Sequence, residues 1–191
     1  MKTLIIYAHP KTKGYNSYIL SNVINQLKIK KENFEIIDLY KENFNSNLQE
    51  KEHYTSGNTY VSLYIKKIQR KIKISDKLIF IYPIWWGSIP SILKGFFDRV
   101  FTPGFSHKFI SKLNFNQLLK NKKASVICTT GAPKIAYSLG FANRGIKNIK
   151  KDILGFCGIK SKIYVIGNCT NQIDEKKKKE INKIILKAIN F

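Results

Sequence analysis

The chain has 191 residues, 43% of them hydrophobic and 13% aromatic, which excludes a disordered chain and suffices for one domain with a sheet covered on both faces. Its 34 Lys and Arg against 12 Asp and Glu give a formal net charge of +22, carried by 31 lysines and only Arg70, Arg99 and Arg144. The lysines are scattered, with small clusters at 120–123, 147–151 and 176–179; with few arginines and no recognition helix, no specific nucleic-acid partner is expected, only solvated faces that concentrate anionic ligands.

In chain order, Lys2 to Ala8 (KTLIIYA) reads as a short central strand and His9 to Tyr15 as a loop. Asn16 or Ser17 can cap a helix running to about Ile29, striped by Ile19, Leu20, Val23, Ile24 and Leu27. Phe34 to Leu39 is a second strand, Tyr40 to Thr59 a polar stretch without a clear pattern, and Tyr60 to Ile72 a helix. Leu78 to Tyr82, an apolar run ended by Pro83, suits a strand buried on both faces. The loop after it holds Trp85, Trp86 and Gly87; Ser88 can cap the next helix and Pro90 fits its first turn. That helix puts Ile92, Leu93, Phe96, Phe97 and Val100 largely on one face, with Asp98 and Arg99 in structural pairs.

Thr102 to Lys112 reads as a loop or hairpin and Ala124 to Cys128 as the fourth strand, leading into Thr129-Thr130-Gly131-Ala132-Pro133. A helix over about Arg144 to Leu154 stops at Gly155, and Ser161 to Ile166 is the fifth strand. Thr170 can cap the last helix, with Asp174 and Glu175 in its favourable first turn. Five strands alternating with five helices predict an α/β fold, a doubly wound parallel sheet with helices on both faces. The loops after strands one, three and four then converge at the carboxyl end of the sheet, where such sheets bind ligands. No G-x-G-x-x-G follows the first strand, but HPKTKGYNS offers hydroxyls, lysines and a glycine before a helix start, which suits a mononucleotide phosphate. Two tryptophans in one loop are either core or the wall of a site for something flat.

Cys128, Cys157 and Cys169 lack metal-ligand spacing, so no metal is expected; buried, reduced thiols in a cytoplasmic protein are the first reading, and a Cys157–Cys169 redox pair the second. No run reaches the length of a membrane span, and no small-residue cleavage pattern follows the first apolar run, which argues against a signal peptide.

The segments YPIWWGSIPSILKGFFDRVFTPGF, and TTGAP followed by Tyr137, resemble the NAD(P)H:quinone oxidoreductase family, most closely its short bacterial members; the similarity runs from LIIYAHP to ILGFCGIKS. The resemblance implies one flavodoxin-like flavin-binding domain over residues 1–191, with a five-stranded sheet in the order 2-1-3-4-5. It implies an oxidoreductase passing two electrons from NAD(P)H through bound FMN, with FAD as the alternative, to a quinone or similar flat acceptor by ping-pong hydride transfer. His9, Lys13, Gly14, Tyr15, Asn16 and Ser17 would hold the flavin phosphate, although the family often has Thr or Ser where Lys13 and Gly14 stand. Pro83, Ile84, Trp85, Trp86 and Gly87 would line the ring, and Thr129, Thr130, Gly131 and Ala132 its pyrimidine edge. Tyr137 is the implied catalytic donor. Asn143 stands where the family has a histidine that works with that tyrosine.

Phe105 and His107 fall where relatives place aromatic residues over the flavin, frequently from the partner of a homodimer with its site at the interface. By composition alone, His107 reads as a solvated loop residue. A different class of function is also implied, a flavin-binding ancillary subunit of a membrane potassium-efflux transporter, for which a positive surface suits an anionic membrane face.

Overall fold

The computed structural model describes residues 1–53, 60–112, 114–138, 144–170 and 172–191. Strands β1 (Lys2–Tyr7), β2 (Asn33–Asp38) and β3 (Lys77–Pro83) alternate with helices α1 (Tyr15–Ile29), α2 (Leu63–Ile74) and α3 (Ser91–Val100). A short antiparallel hairpin, β4 (His107–Phe109) and β5 (Phe115–Gln117), precedes β6 (Lys123–Thr129). Then come α4 (Lys134–Ser138), α5 (Arg144–Lys147) running into a π-helical segment (Asn148–Gly155), β7 (Lys160–Ile166) and α6 (Glu175–Ile189). The main sheet has the order β2-β1-β3-β6-β7 and every pairing in it is parallel. Counted without the hairpin, this is the expected order 2-1-3-4-5.

Alternation along the strands explains why both faces are covered. Leu4, Ile6 and Ala8, with Leu78, Phe80 and Tyr82 and with Ala124, Val126 and Cys128, face α2, α3 and the π-helical segment. Ile5, Tyr7, Ile79, Ile81 and Ile127 face α1 and α6, where they meet Val23, Leu27, Ile181 and Ile185. Each fully buried large apolar side chain contributes about 1.5–3 kcal/mol. Cys157 packs in the first of these cores and Cys169 against the second, and all three cysteines are free thiols, as the first reading expected, with Cys169 only partly buried. No helix among the described residues is long and apolar enough to cross a membrane.

Several expected caps are replaced. Gly14 caps α1; Asn16 lies inside the helix, and the Ser17 hydroxyl donates back to the Gly14 carbonyl at 3.0 Å. Pro90 rather than Ser88 precedes α3, and Asp174 rather than Thr170 caps α6, its carboxylate accepting from Lys177 N at 2.7 Å. The helix expected from Arg144 is only briefly α-helical before it widens into the π-helical segment, which ends at Gly155 as expected.

Part of the stretch 40–59 that had no sequence pattern is held by one buried ion pair. Glu52, in a short 3₁₀ turn (Glu50–Glu52), takes the Arg99 guanidinium of α3 in a two-pronged contact, 2.7 Å on each prong. Arg99 also donates to the Asn45 carbonyl and lies over the Phe44 ring. Its neighbour Asp98 instead pairs with Lys94 on the exposed side of α3, so the two expected structural pairs are both present and unequal. Gly95 lets this segment approach: a Cβ there would lie 2.2 Å from the Ser46 carbonyl oxygen.

Candidate functional site

The carboxyl ends of β1, β3 and β6 carry three loops that are clipped to one another. Asn16 donates to the Thr129 hydroxyl at 2.9 Å, and the Thr129 carbonyl accepts from Ile84 N at 2.7 Å. The first bond ties the start of α1 to the end of β6, and the second ties β6 to the loop after β3. Thr130 is held from both sides, since its N–H donates to the Ile166 carbonyl and its own carbonyl accepts from Cys169 N. Gly145 N donates to the Gly87 carbonyl, and a Cβ on Gly145 would lie 2.4 Å from that oxygen, so α5 seats directly on the tryptophan loop.

Between the three loops lies an open cleft of about 340 Å³. Its walls include eleven of the expected cofactor residues: His9, Lys13, Gly14, Tyr15 and Asn16 from the first loop, Pro83, Ile84 and Trp85 from the second, and Thr129, Thr130 and Gly131 from the third. Lys11, one of the two lysines of the HPKTKGYNS loop, completes the lining with Cys169 and Thr170, and no sequence signal had pointed to the last two as site residues. Cys169 comes from the loop after β7; burial pushes its thiol up, which keeps it protonated.

At one end of the cleft Gly14 has φ 109° and ψ −166°, a conformation essentially confined to glycine. That geometry turns the chain so that α1 starts at the cleft, with the N–H groups of its first turn unclaimed by the helix. His9 Nδ1 lies 3.2 Å from both the nitrogen and the oxygen of Lys11, which holds the ring against its own loop and leaves Nε2 for a ligand. Asn16 is 3% exposed, yet its Oδ1 has no hydrogen-bond partner among the described residues. A buried amide oxygen of this kind costs about 1–3 kcal/mol unless something binds it.

The main-chain donors around the ring position are fewer than the loop sequences suggest. Trp85 N is taken by the Ser88 carbonyl, Thr130 N by Ile166 and Ala132 N by the Thr130 hydroxyl. The N–H groups of Trp86, Gly87 and Gly131 bond to no acceptor among the described residues. Tyr137 lies on α4, with its hydroxyl 3.0 Å from the Thr130 hydroxyl. Because Thr130 Oγ1 already accepts from Ala132 N, it can donate its own proton to the Tyr137 oxygen, leaving the phenol proton for a ligand.

Other expected residues stand apart. Ser17 lines a neighbouring cavity, and Trp86 is not core: it is fully exposed, at φ 52°. Trp85 is only 40% exposed and lies against His9, with ring centroids 6.3 Å apart. His107 is buried rather than solvated, bonded to the Ser106 hydroxyl at 2.9 Å and edge-on to Phe109 and Phe156. Burial pushes its imidazole pKa down, which favours the neutral ring. It opens onto a different cavity, of about 300 Å³, beside Phe101 and Cys157, while Phe105 packs edge-on against Phe101. Asn143 lies outside the described residues.

A family profile for the flavodoxin-like fold matches residues 1–188. An uncharacterized NAD(P)H oxidoreductase of Haemophilus influenzae is 29% identical over 181 residues, covering 94% of this chain and 89% of that protein. Among solved structures, Smu.1420 from Streptococcus mutans superposes over the full length of both chains with a TM-score of 0.87 and 32% identity. The NAD(P)H:quinone oxidoreductase from Methanothermobacter marburgensis superposes with a TM-score of 0.88 and 25% identity, over 100% of this chain and 98% of that one. The sheet order, the loops that meet at its carboxyl end and these likenesses agree, and the chain belongs to the flavodoxin-like-fold family, among the relatives of the NAD(P)H:quinone oxidoreductases.

Proposed function

We propose that this protein is an FMN-dependent NAD(P)H oxidoreductase acting on a quinone or similar flat acceptor. The observation that carries the reading is the clipped cleft itself, with a helix N-terminus and lysines at one end and the unclaimed Gly131 N–H and the Trp85 ring in its walls. The residues fit a flavin mononucleotide. Gly14 and the first-turn amides of Tyr15, Asn16 and Ser17, with Lys13, suit the phosphate, and the orphan Asn16 Oδ1 suits a hydroxyl or N–H donor of the ligand. Pro83, Ile84 and Trp85 suit the ring, beside Thr129, Thr130 and Gly131 of the third loop.

Held by these residues, FMN would supply hydride-transfer chemistry between a nicotinamide and the acceptor. The protein's part is to orient and to stabilise charge. With the ring held there, the amides of Trp86, Gly87 and Gly131 would be available to stabilise negative charge on it, and the Tyr137 phenol would be a further donor. One stacking space serves nicotinamide and acceptor in turn, which predicts ping-pong kinetics. The uncovered Trp86 ring favours a second copy of the chain closing the site as a homodimer.

The test is purification with flavin absorbance, a dimer on sedimentation and NAD(P)H oxidation with a benzoquinone. A colourless protein that takes up neither FMN nor FAD would sink the reading. Flavin binding with negligible turnover on every acceptor would favour an ancillary role instead. Tyr137→Phe is expected to lower turnover by about 10- to 100-fold with flavin affinity nearly unchanged. Loss of flavin in that variant would make Tyr137 a structural residue.

A further inference from the structure

Helix α6 carries a row of charge that the fold does not use. Lys176, Lys179, Lys183 and Lys187 recur at helical spacing, so they lie along one side of the helix, and all four are exposed. The opposite side, with Ile181, Ile185, Ala188 and Ile189, is buried in the core. Among the described residues none of these four ammonium groups has an ion pair or hydrogen bond, because the acids of this face are committed elsewhere. Asp174 caps the helix, Glu175 holds Lys178 at 2.6 Å and Glu180 holds Lys177 at 2.7 Å. Residues 153–173 and 181–191 contain no Asp or Glu at all.

At its far end the row is widened by β7, an edge strand of the sheet. The Tyr164 hydroxyl donates to the Lys187 carbonyl at 3.1 Å, and the Lys162 and Lys123 ammonium groups lie 4.6 Å and 5.5 Å from the centre of the Phe191 ring. Local helix physics works against the arrangement. Lys176 and Lys179 stand near the start of α6, where the helix dipole favours anions, and Lys179–Lys183 and Lys183–Lys187 are like-charge pairs four residues apart. Helix stability therefore does not account for the row.

Its geometry narrows the partner. From Lys176 to Lys187 the row runs about 16 Å, the axial length of about five phosphates on one strand of a duplex. With no arginine in β7 or α6, the face can neutralise phosphates but is poorly equipped to read bases. The apolar side of α6 is held in the core, so the helix cannot sink into a bilayer. No exposed aromatic ring stands along the row to stack an unpaired base.

We propose that the α6 face binds the phosphate backbone of duplex nucleic acid without sequence preference. Lys176, Lys179, Lys183 and Lys187 follow one strand, and Lys162 and Lys123 add charge at the end of the row. None of these residues lines the cleft, so the inference is independent of the flavin reading.

Fluorescence anisotropy with a labelled DNA duplex, titrated at several salt concentrations, tests it. Binding is expected at low salt, within about twofold for duplexes of different sequence, and falling steeply as salt rises. Changing the four lysines together (Lys176→Gln, Lys179→Gln, Lys183→Gln, Lys187→Gln) is expected to weaken binding by about 10- to 100-fold. The slope of log affinity against log salt should shrink by about 3 to 4. Circular dichroism should show this variant folded and at least as stable, since the like-charge pairs are gone. The control Lys66→Gln, Lys67→Gln, Lys150→Gln, Lys151→Gln removes the same charge from exposed positions of α2 and the π-helical segment, on the other face of the sheet. It is expected to leave the slope nearly unchanged.

An RNA duplex is expected to bind as tightly as DNA, because the backbone phosphates are shared; a tenfold preference for either would name the source. Equal losses in the two fourfold variants would mean that net charge alone attracts the duplex, and would overturn the proposal. No binding at low salt, or tighter binding of single strands than of duplex, would overturn it too. Binding of phosphatidylserine vesicles through the same four lysines, with no duplex bound, would assign the face to a membrane instead.

Discussion

Arg99→Ala is expected to cost about 3–5 kcal/mol of folding stability, because it strands a buried carboxylate. The Arg99 and Glu52 side chains are only 8% and 5% exposed, so water reaches neither well. Removing the guanidinium also frees the Asn45 carbonyl and the Phe44 ring, and so loosens the segment that runs from β2 towards α2. A double variant, Arg99→Met with Glu52→Leu, should cost markedly less, since an apolar pair leaves no uncompensated charge. Urea unfolding followed by circular dichroism measures both. Equal losses in the single and double variants would show that packing, not the buried charge, dominates.

The same pair sets an acid limb of stability. Burial alone would raise the Glu52 carboxyl, but the Arg99 hydrogen bonds and charge, with the Gln49 N–H, hold it below the ordinary carboxylate range. The unfolded chain, with a glutamate near about 4.3, then binds the proton more readily than the native one. The contribution is complete above that unfolded value and is lost as pH falls through the lower native one. Glu52→Gln is expected to remove this part of the slope of stability against pH below about pH 4.3.

Gly14→Ala is expected to weaken flavin binding by roughly five- to 150-fold, the equivalent of about 1–3 kcal/mol of backbone strain. A Cβ at Gly14 would touch nothing within 4 Å, so the cost is conformational rather than steric. The chain can avoid it only by turning out of φ 109°, which would carry the first-turn amides of α1 away from the proposed phosphate position. Gly131→Ala is the matched control: its φ is not left-handed, and its added Cβ would meet only Thr170 Cγ2 at 3.3 Å. Fluorescence titration with FMN reads both variants. Wild-type affinity in Gly14→Ala would remove this turn from the phosphate site.

Much of the cleft was legible because its parts are local. The apolar runs at 2–8, 78–82 and 124–128 identify strands by period and length alone, and the loops that follow them must then lie together at one end of a parallel sheet. Caps were less legible. Asn16, Ser88 and Thr170 are all good capping residues by type, yet Gly14, Pro90 and Asp174 take those places. Which polar residue caps a helix depends on where neighbouring loops pull the chain, and Asn16 is spent on Thr129, 113 residues away.

The amino-acid sequence by itself determined the doubly wound sheet and the loops that surround the cleft, since hydrophobic period and chain direction leave few alternatives. Tertiary structure alone decided the pairing of Glu52 with Arg99, the burial of His107 and the exposure of Trp86. Each of these depends on distances between segments remote in the chain or on which face a loop presents, and such properties leave no periodic trace in the order of residues.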